Sequence, residues 1–114
     1  MAESFQVDVV SPESVVWSGT AELVTARTTE GDIGIMAGHE PTMAALATGS
    51  AEIHAGGDKI TVAVHGGFLQ IFRNQVTLLS DRAEVVEGDA DAARAQAQTL
   101  RQEQEADEEE DGQS

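Results

Sequence analysis

Glu30-Gly-Asp-Ile-Gly-Ile-Met-Ala-Gly-His-Glu-Pro41 interleaves aliphatic side chains with glycine, and Gly66-Gly-Phe-Leu-Gln-Ile71 repeats the theme further along. Glycine at 31, 34, 38, 66 and 67 admits positive φ or close approach by another chain. Ile33, Ile35, Phe68, Leu69 and Ile71 are the branched and aromatic residues that fit a pleated, half-buried surface. The two stretches predict sheet corners and contact surfaces rather than a catalytic centre.

Outward from them, short β-favouring runs recur: Phe5–Val10, Val15–Trp17, Ala21–Arg27, Ile33–Met36, Thr42–Leu46, Ala51–His54, Lys59–His65, Phe68–Arg73 and Gln75–Leu79. Turn-formers separate them, among them Ser11-Pro12, Ser18-Gly19, Glu30-Gly31, Gly49-Ser50 and Gly66-Gly67. Such spacing is that of a β-sandwich or barrel. Gly56-Gly57-Asp58 and Arg73-Asn74 read as hairpin turns, the second pairing Phe68–Arg73 with Gln75–Leu79. In Lys59–His65, alternation sets Ile60, Val62 and Val64 on one face, predicting that this face alone is buried.

Composition changes at Gly88. Asp89–Glu105 consists mostly of helix formers, with Asp89 placed to cap and Asp91 favourable at the positive helix end, which predicts a helix of about four turns. Its apolar stripe is only Ala90, Ala93, Ala97 and Leu100, so it should detach easily. From Ala106 an acidic block predicts a disordered tail through self-repulsion. The expected division is a sandwich over 1–88, a helix over 89–105 and a tail over 106–114.

With 21 acidic and 6 basic residues the net charge is −15, which argues against a nucleic-acid or anionic-membrane surface. Residues 89–114 carry nine acids and two bases, so charge is densest there. Cysteine is absent, which removes disulfides, thiol chemistry and cysteine zinc sites. An acid stands near the N-terminus where a signal peptide carries bases, and no apolar run approaches the roughly 20 residues of a membrane span. These features predict a soluble or peripheral protein on the cytoplasmic side.

Reactive constellations find little support. Gly56-Gly57-Asp58-Lys59 leads into a strand rather than the helix a phosphate loop needs. His39, His54 and His65 fall in three elements without metal-ligand spacing. No Gly-x-Ser-x-Gly elbow occurs. Glu30 and Asp32 flank a glycine, where exposed acids are usually just solvated, the functional alternative being a partner contact. Asp91 and Arg94 have the spacing of a surface ion pair.

The ordered set Val9-Val-Ser-Pro-Glu13, Trp17-Ser-Gly19, Glu30–His39 with Pro41, Gly49, Gly66–Ile71, Val76–Asp81, Ala83-Glu84 and Asp91–Ala95 resembles the ε subunit family of rotary F-type ATP synthases. The resemblance is colinear over nearly the whole chain. It implies a flattened ten-stranded antiparallel β-sandwich followed by C-terminal helix, and a non-catalytic rotor subunit on the central stalk. The implied partners are the γ subunit and the c ring and, through them, α and β, at the cytoplasmic face of the cell membrane. It also makes Asp32, with Glu30 beside it, a candidate c-ring contact and His39 a neighbour of the stalk interface.

Family members usually end in two antiparallel helices that can extend and inhibit ATP hydrolysis, whereas one helix and an acidic stretch are legible here. Some members bind ATP through an aliphatic-Asp-x-x-Arg-Ala motif. Ala90-Asp-Ala-Ala-Arg-Ala95 keeps Asp91, Arg94 and Ala95 but has alanine at the aliphatic position, so the expectation is no cofactor, with Asp91 and Arg94 the candidates if ATP binds. Ala37 stands where the family often has proline. The competing readings are a free-standing β-sandwich that captures a ligand or peptide and, third, a hydrolase using Asp32 and His39.

Overall fold

The computed structural model describes residues 3–112, with side chains through Glu108; Met1, Ala2, Gln113 and Ser114 lie outside the described residues. Ten strands precede one helix: β1 (Phe5–Val10), β2 (Val15–Ala21), β3 (Leu23–Thr28), β4 (Gly31–Ile35), β5 (Thr42–Ala45), β6 (Gly49–Ala55), β7 (Asp58–His65), β8 (Phe68–Phe72), β9 (Gln75–Leu79), β10 (Arg82–Val86) and α1 (Ala90–Gly112). They form two five-stranded sheets, β2-β1-β9-β8-β5 and β10-β7-β6-β3-β4. The sheets remain separate layers, so of the two architectures left open by strand spacing the chain adopts the sandwich. Pairing is antiparallel except between β1 and β9, which run parallel.

One apolar cluster fills the space between the layers, with Val7, Val9, Leu69, Val76 and Leu78 from the first sheet and Val24, Ile35, Ile53 and Val62 from the second. Both expected hairpins form: Gly56 and Gly57 adopt φ of 59° and 90°, and Arg73 and Asn74 adopt 50° and 60°. Positive φ at both central residues matches the twist of the flanking strands.

Three expectations need correction. β2 runs through Ser18-Gly19 without a break, and a Cβ on Gly19 would lie 2.8 Å from the Trp17 indole. That glycine makes room for an aromatic ring; it does not turn the chain. In β7, Thr61, Val62, Ala63 and Val64 are all buried, so both faces are covered. The outer face is covered by α1, where Ala63 packs with Ala93, Ala97, Leu100 and Val86.

The helix, finally, runs beyond Glu105 to Gly112. Arg101 pairs with Glu105 at 3.2 Å and Arg82 of β10 engages both Glu103 and Asp107, so scattered bases offset part of the acidic repulsion. Of the segment expected to be a disordered tail, residues 106–112 are therefore helical.

Candidate functional site

The Thr28–Gly31 turn positions the first candidates. Buried Thr28 donates its hydroxyl to the Gly31 carbonyl at 2.6 Å and accepts the Glu30 N–H at 3.2 Å. This closes β3 onto β4 and leaves Glu30 exposed at the tip. Across the hairpin Asp32 lies opposite Arg27, and their side chains pair at 3.3 Å. With the Asp32 side chain 75% exposed, the pair is weak and can exchange partners on contact with another chain. Sequence reading missed Arg27, although counting back across a tight Thr29-Glu30 turn would have found it.

His39 lies beyond the other end of β4, in the link to β5. That link is fastened to the β8–β9 hairpin by Gly38 N–H, which donates to the Asn74 side-chain oxygen at 2.8 Å. His39 Nδ1 is 2.8 Å from the Glu40 carbonyl oxygen, and since a carbonyl only accepts, Nδ1 donates. At about 3.3 Å per residue, β4 holds Glu30 and Asp32 well apart from His39. The three do not form one cluster, so the stretch from Glu30 to Gly38 contains a hairpin tip, a strand and part of a separate loop.

At the start of α1, Asp89 Oδ1 accepts the Ala92 N–H at 3.1 Å, the expected cap. Asp91 and Arg94 form the expected ion pair. The helix start and the outer face of β3, β4 and β6 border a groove of about 540 Å³, lined in part by Arg27, Asp32, Thr48, Glu52, Ala90 and Arg94. The groove thus brings Asp32 and Arg94 to one place. Its charges are already matched, Arg27 with Asp32, Arg94 with Asp91, and Glu52 with Lys59 at 3.1 Å.

The best-held carboxylate is elsewhere, on the outer face of the first sheet. Asp8 accepts from Ser18 Oγ at 2.5 Å, Gln75 Nε2 at 2.7 Å and Gln6 Nε2 at 3.3 Å. Chiefly through the Ser18 hydrogen bond, which outweighs the opposing effect of burial, and with lesser help from Gln75 and Gln6, its pKa is held below the ordinary aspartate value. Among the described residues no group of three His, Asp or Glu side chains converges to hold a metal, and no helix is long and apolar enough to cross a membrane.

Comparison with known proteins gives these features a family. Residues 4–86 match the family described as the β-sandwich domain of the ATP synthase delta/epsilon chain. An ATP synthase epsilon chain of Rhodococcus opacus is 47% identical over 97 residues, covering 82% of this chain and 79% of that one. The epsilon chain of Streptomyces avermitilis is 43% identical over 95 residues, covering 82% and 76%. A chain in the OSCP/F1/c-ring structure of Euglena gracilis mitochondrial ATP synthase is similar at TM-score 0.67 and 28% identity over 75% of this chain and 56% of that one. A chain of the Tetrahymena thermophila mitochondrial ATP synthase central stalk/c-ring structure shares the fold at TM-score 0.55 and 15% identity, over 75% and 66%. This chain thus spans between about half and two thirds of the length of those two solved chains. A ten-stranded sandwich whose strands coincide with the matched residues, and relatives this similar over most of their length, make the chain a member of the ATP synthase delta/epsilon family.

Proposed function

We propose that the chain is the non-catalytic rotor subunit of a proton-translocating F-type ATP synthase. In this role it joins the γ subunit to the c ring and, through them, serves the α and β subunits, at the cytoplasmic face of the cell membrane. The observation that carries the reading is the family match across the whole sandwich, 4–86, together with likeness to a chain in a structure named for F1 and the c ring. Such a subunit works by binding: a rigid two-layer body passes torque between partners without making or breaking bonds.

The exposed Glu30 and Asp32, on a hairpin tip fixed by Thr28, suit a polar contact with the c ring, because a short braced turn loses little entropy on docking. His39, beyond the other end of β4, suits a contact with the stalk. The decisive experiment is co-purification of the tagged chain from its own cells' membranes with identification of its partners. Recovery of γ, c, α and β is the expected result. Recovery of the chain alone, free of these subunits, would sink the reading and favour an independent ligand- or peptide-binding module.

A further inference from the structure

α1 is held in two different ways along its length. Up to Leu100 it lies on the second sheet through Ala93, Ala97 and Leu100, all buried, and Gln96 Nε2 donates to Glu84 of β10 at 2.8 Å. From Arg101 to Glu108 no residue is buried. Among the described residues, the side-chain bonds that tie this second half to the sandwich all come from one group, the Arg82 guanidinium, which pairs with Glu103 at 4.0 Å and with Asp107.

The apolar stripe breaks at Gln104, four residues after Leu100 and so on the same helix face. Its Oε1 is buried and accepts no hydrogen bond among the described residues, while its Nε2 reaches only Glu108, at 3.5 Å. A buried acceptor without a donor has given up its hydration for nothing, so this position opposes docking. Beside it the helix and the sandwich leave a gap of about 440 Å³, bordered by Leu100, Gln104, Pro12, Glu13, Asp81 and Arg82. Residues 101–108 carry four acids against Arg101 alone, and Glu13 and Asp81 share their sign. Of the charged residues that border the gap from the sandwich side, Arg82 alone attracts this half of the helix.

We propose that residues 101–108 form a strap that opens at Leu100 while the preceding part of α1 stays seated, and that Arg82 is the clasp that closes it. Such a strap differs from a helix that leaves the sheet in one piece: the boundary falls inside α1, where buried alanine and leucine give way to an unpartnered amide and exposed ion pairs. Opening frees the Arg82 guanidinium together with the Glu103 and Asp107 carboxylates and uncovers the gap, with Leu100 still in place. Ion pairs this exposed are weak and exchange readily with water and competing ions, which suits a clasp that opens and closes in the folded protein. The inference stands on these contacts and does not depend on the rotor reading.

Amide hydrogen exchange of the full-length chain, resolved by segment, tests the strap. Exchange over 101–108 should be faster than over 93–100 in the unaltered chain. Arg82→Gln should speed it about three- to tenfold over 101–108 and leave 93–100 unchanged. In a chain already carrying Glu103→Gln and Asp107→Asn, Arg82→Gln should have no further effect, an outcome that a role of Arg82 within β10 alone would not produce. Gln104→Leu removes the unpartnered amide and fills part of the gap, so it should slow exchange over 101–108, and it decides the matter if the Arg82 variant fails to fold. Equal acceleration across 93–108 would show the helix leaving as one piece and overturn the strap. An Arg82 effect that persists without the two carboxylates, or undiminished exchange in Gln104→Leu, would overturn it as well.

Discussion

Gly67 and Gly34 both belong to the glycine-rich stretches that announce the fold, yet they do different work. Gly67 has φ of 96°, and a Cβ there would collide with the Leu79 carbonyl oxygen; Gly34 has open space and no positive φ. Gly67→Ala should therefore cost about 2–3 kcal/mol in urea unfolding, through backbone strain and overpacking, with Gly34→Ala close to neutral. Sequence marked both residues equally, because conformational permissiveness is a property of glycine and its use is a property of the neighbours.

Asp8 supplies a pH-dependent expectation of the same scale. Its pKa is depressed on folding, so its contribution is present above the unfolded value of about 4 and is lost as pH falls through the lower folded value. Asp8→Asn should thus be less stable than the unaltered chain at neutral pH, with the difference vanishing on acidification. An unchanged difference down to strongly acidic pH would remove Ser18, Gln75 and Gln6 as its cause. Nothing in Phe5–Val10 alone reveals this network, because Gln75 reaches Asp8 only through the β1–β9 pairing.

At the scale of elements, the strands were legible where alternation or turn chemistry was strong and obscure where another element changed the rules. β10, Arg-Ala-Glu-Val-Val, went unread as a strand because two charges interrupt it, which an edge position tolerates. The fully buried centre of β7 could be understood only once α1 was laid upon it. That helix contributes two alanines, Ala93 and Ala97, and one leucine to the contact with Ala63 and Val86, so about 1.5–3 kcal/mol from Leu100 dominates its hold. Truncation after Gly88 should accordingly leave a cooperatively melting sandwich with a lowered Tm, measured by circular dichroism. Loss of the cooperative transition would show that helix and sandwich form one folding unit.

For the whole molecule, the separation of Glu30 and Asp32 from His39 along β4 sets two candidate contact regions apart, which is what the proposed role between two partners requires. Asp32→Lys should weaken the coupling of ATP hydrolysis to proton pumping in reconstituted membranes without unfolding the subunit. Unchanged pumping at full assembly would strike Asp32 from the contact. The candidate residues were nameable from motif position, but their disposition was not, since only the hairpin register sets Asp32 against Arg27 and only the β4–β5 link carries His39 to the far end. The parallel alignment of Gln6 with Gln75 has a further consequence for how the protein comes into being. As the chain emerges from the ribosome, β1 must wait with one edge unsatisfied until residues 75–79 appear, while β3, β4, β6 and β7 can already zip together by local hairpins. The first sheet can therefore close only once four of the five strands of the opposite layer have emerged, with β10 alone still to come, so each half of the sandwich meets a partner layer that is already largely laid down.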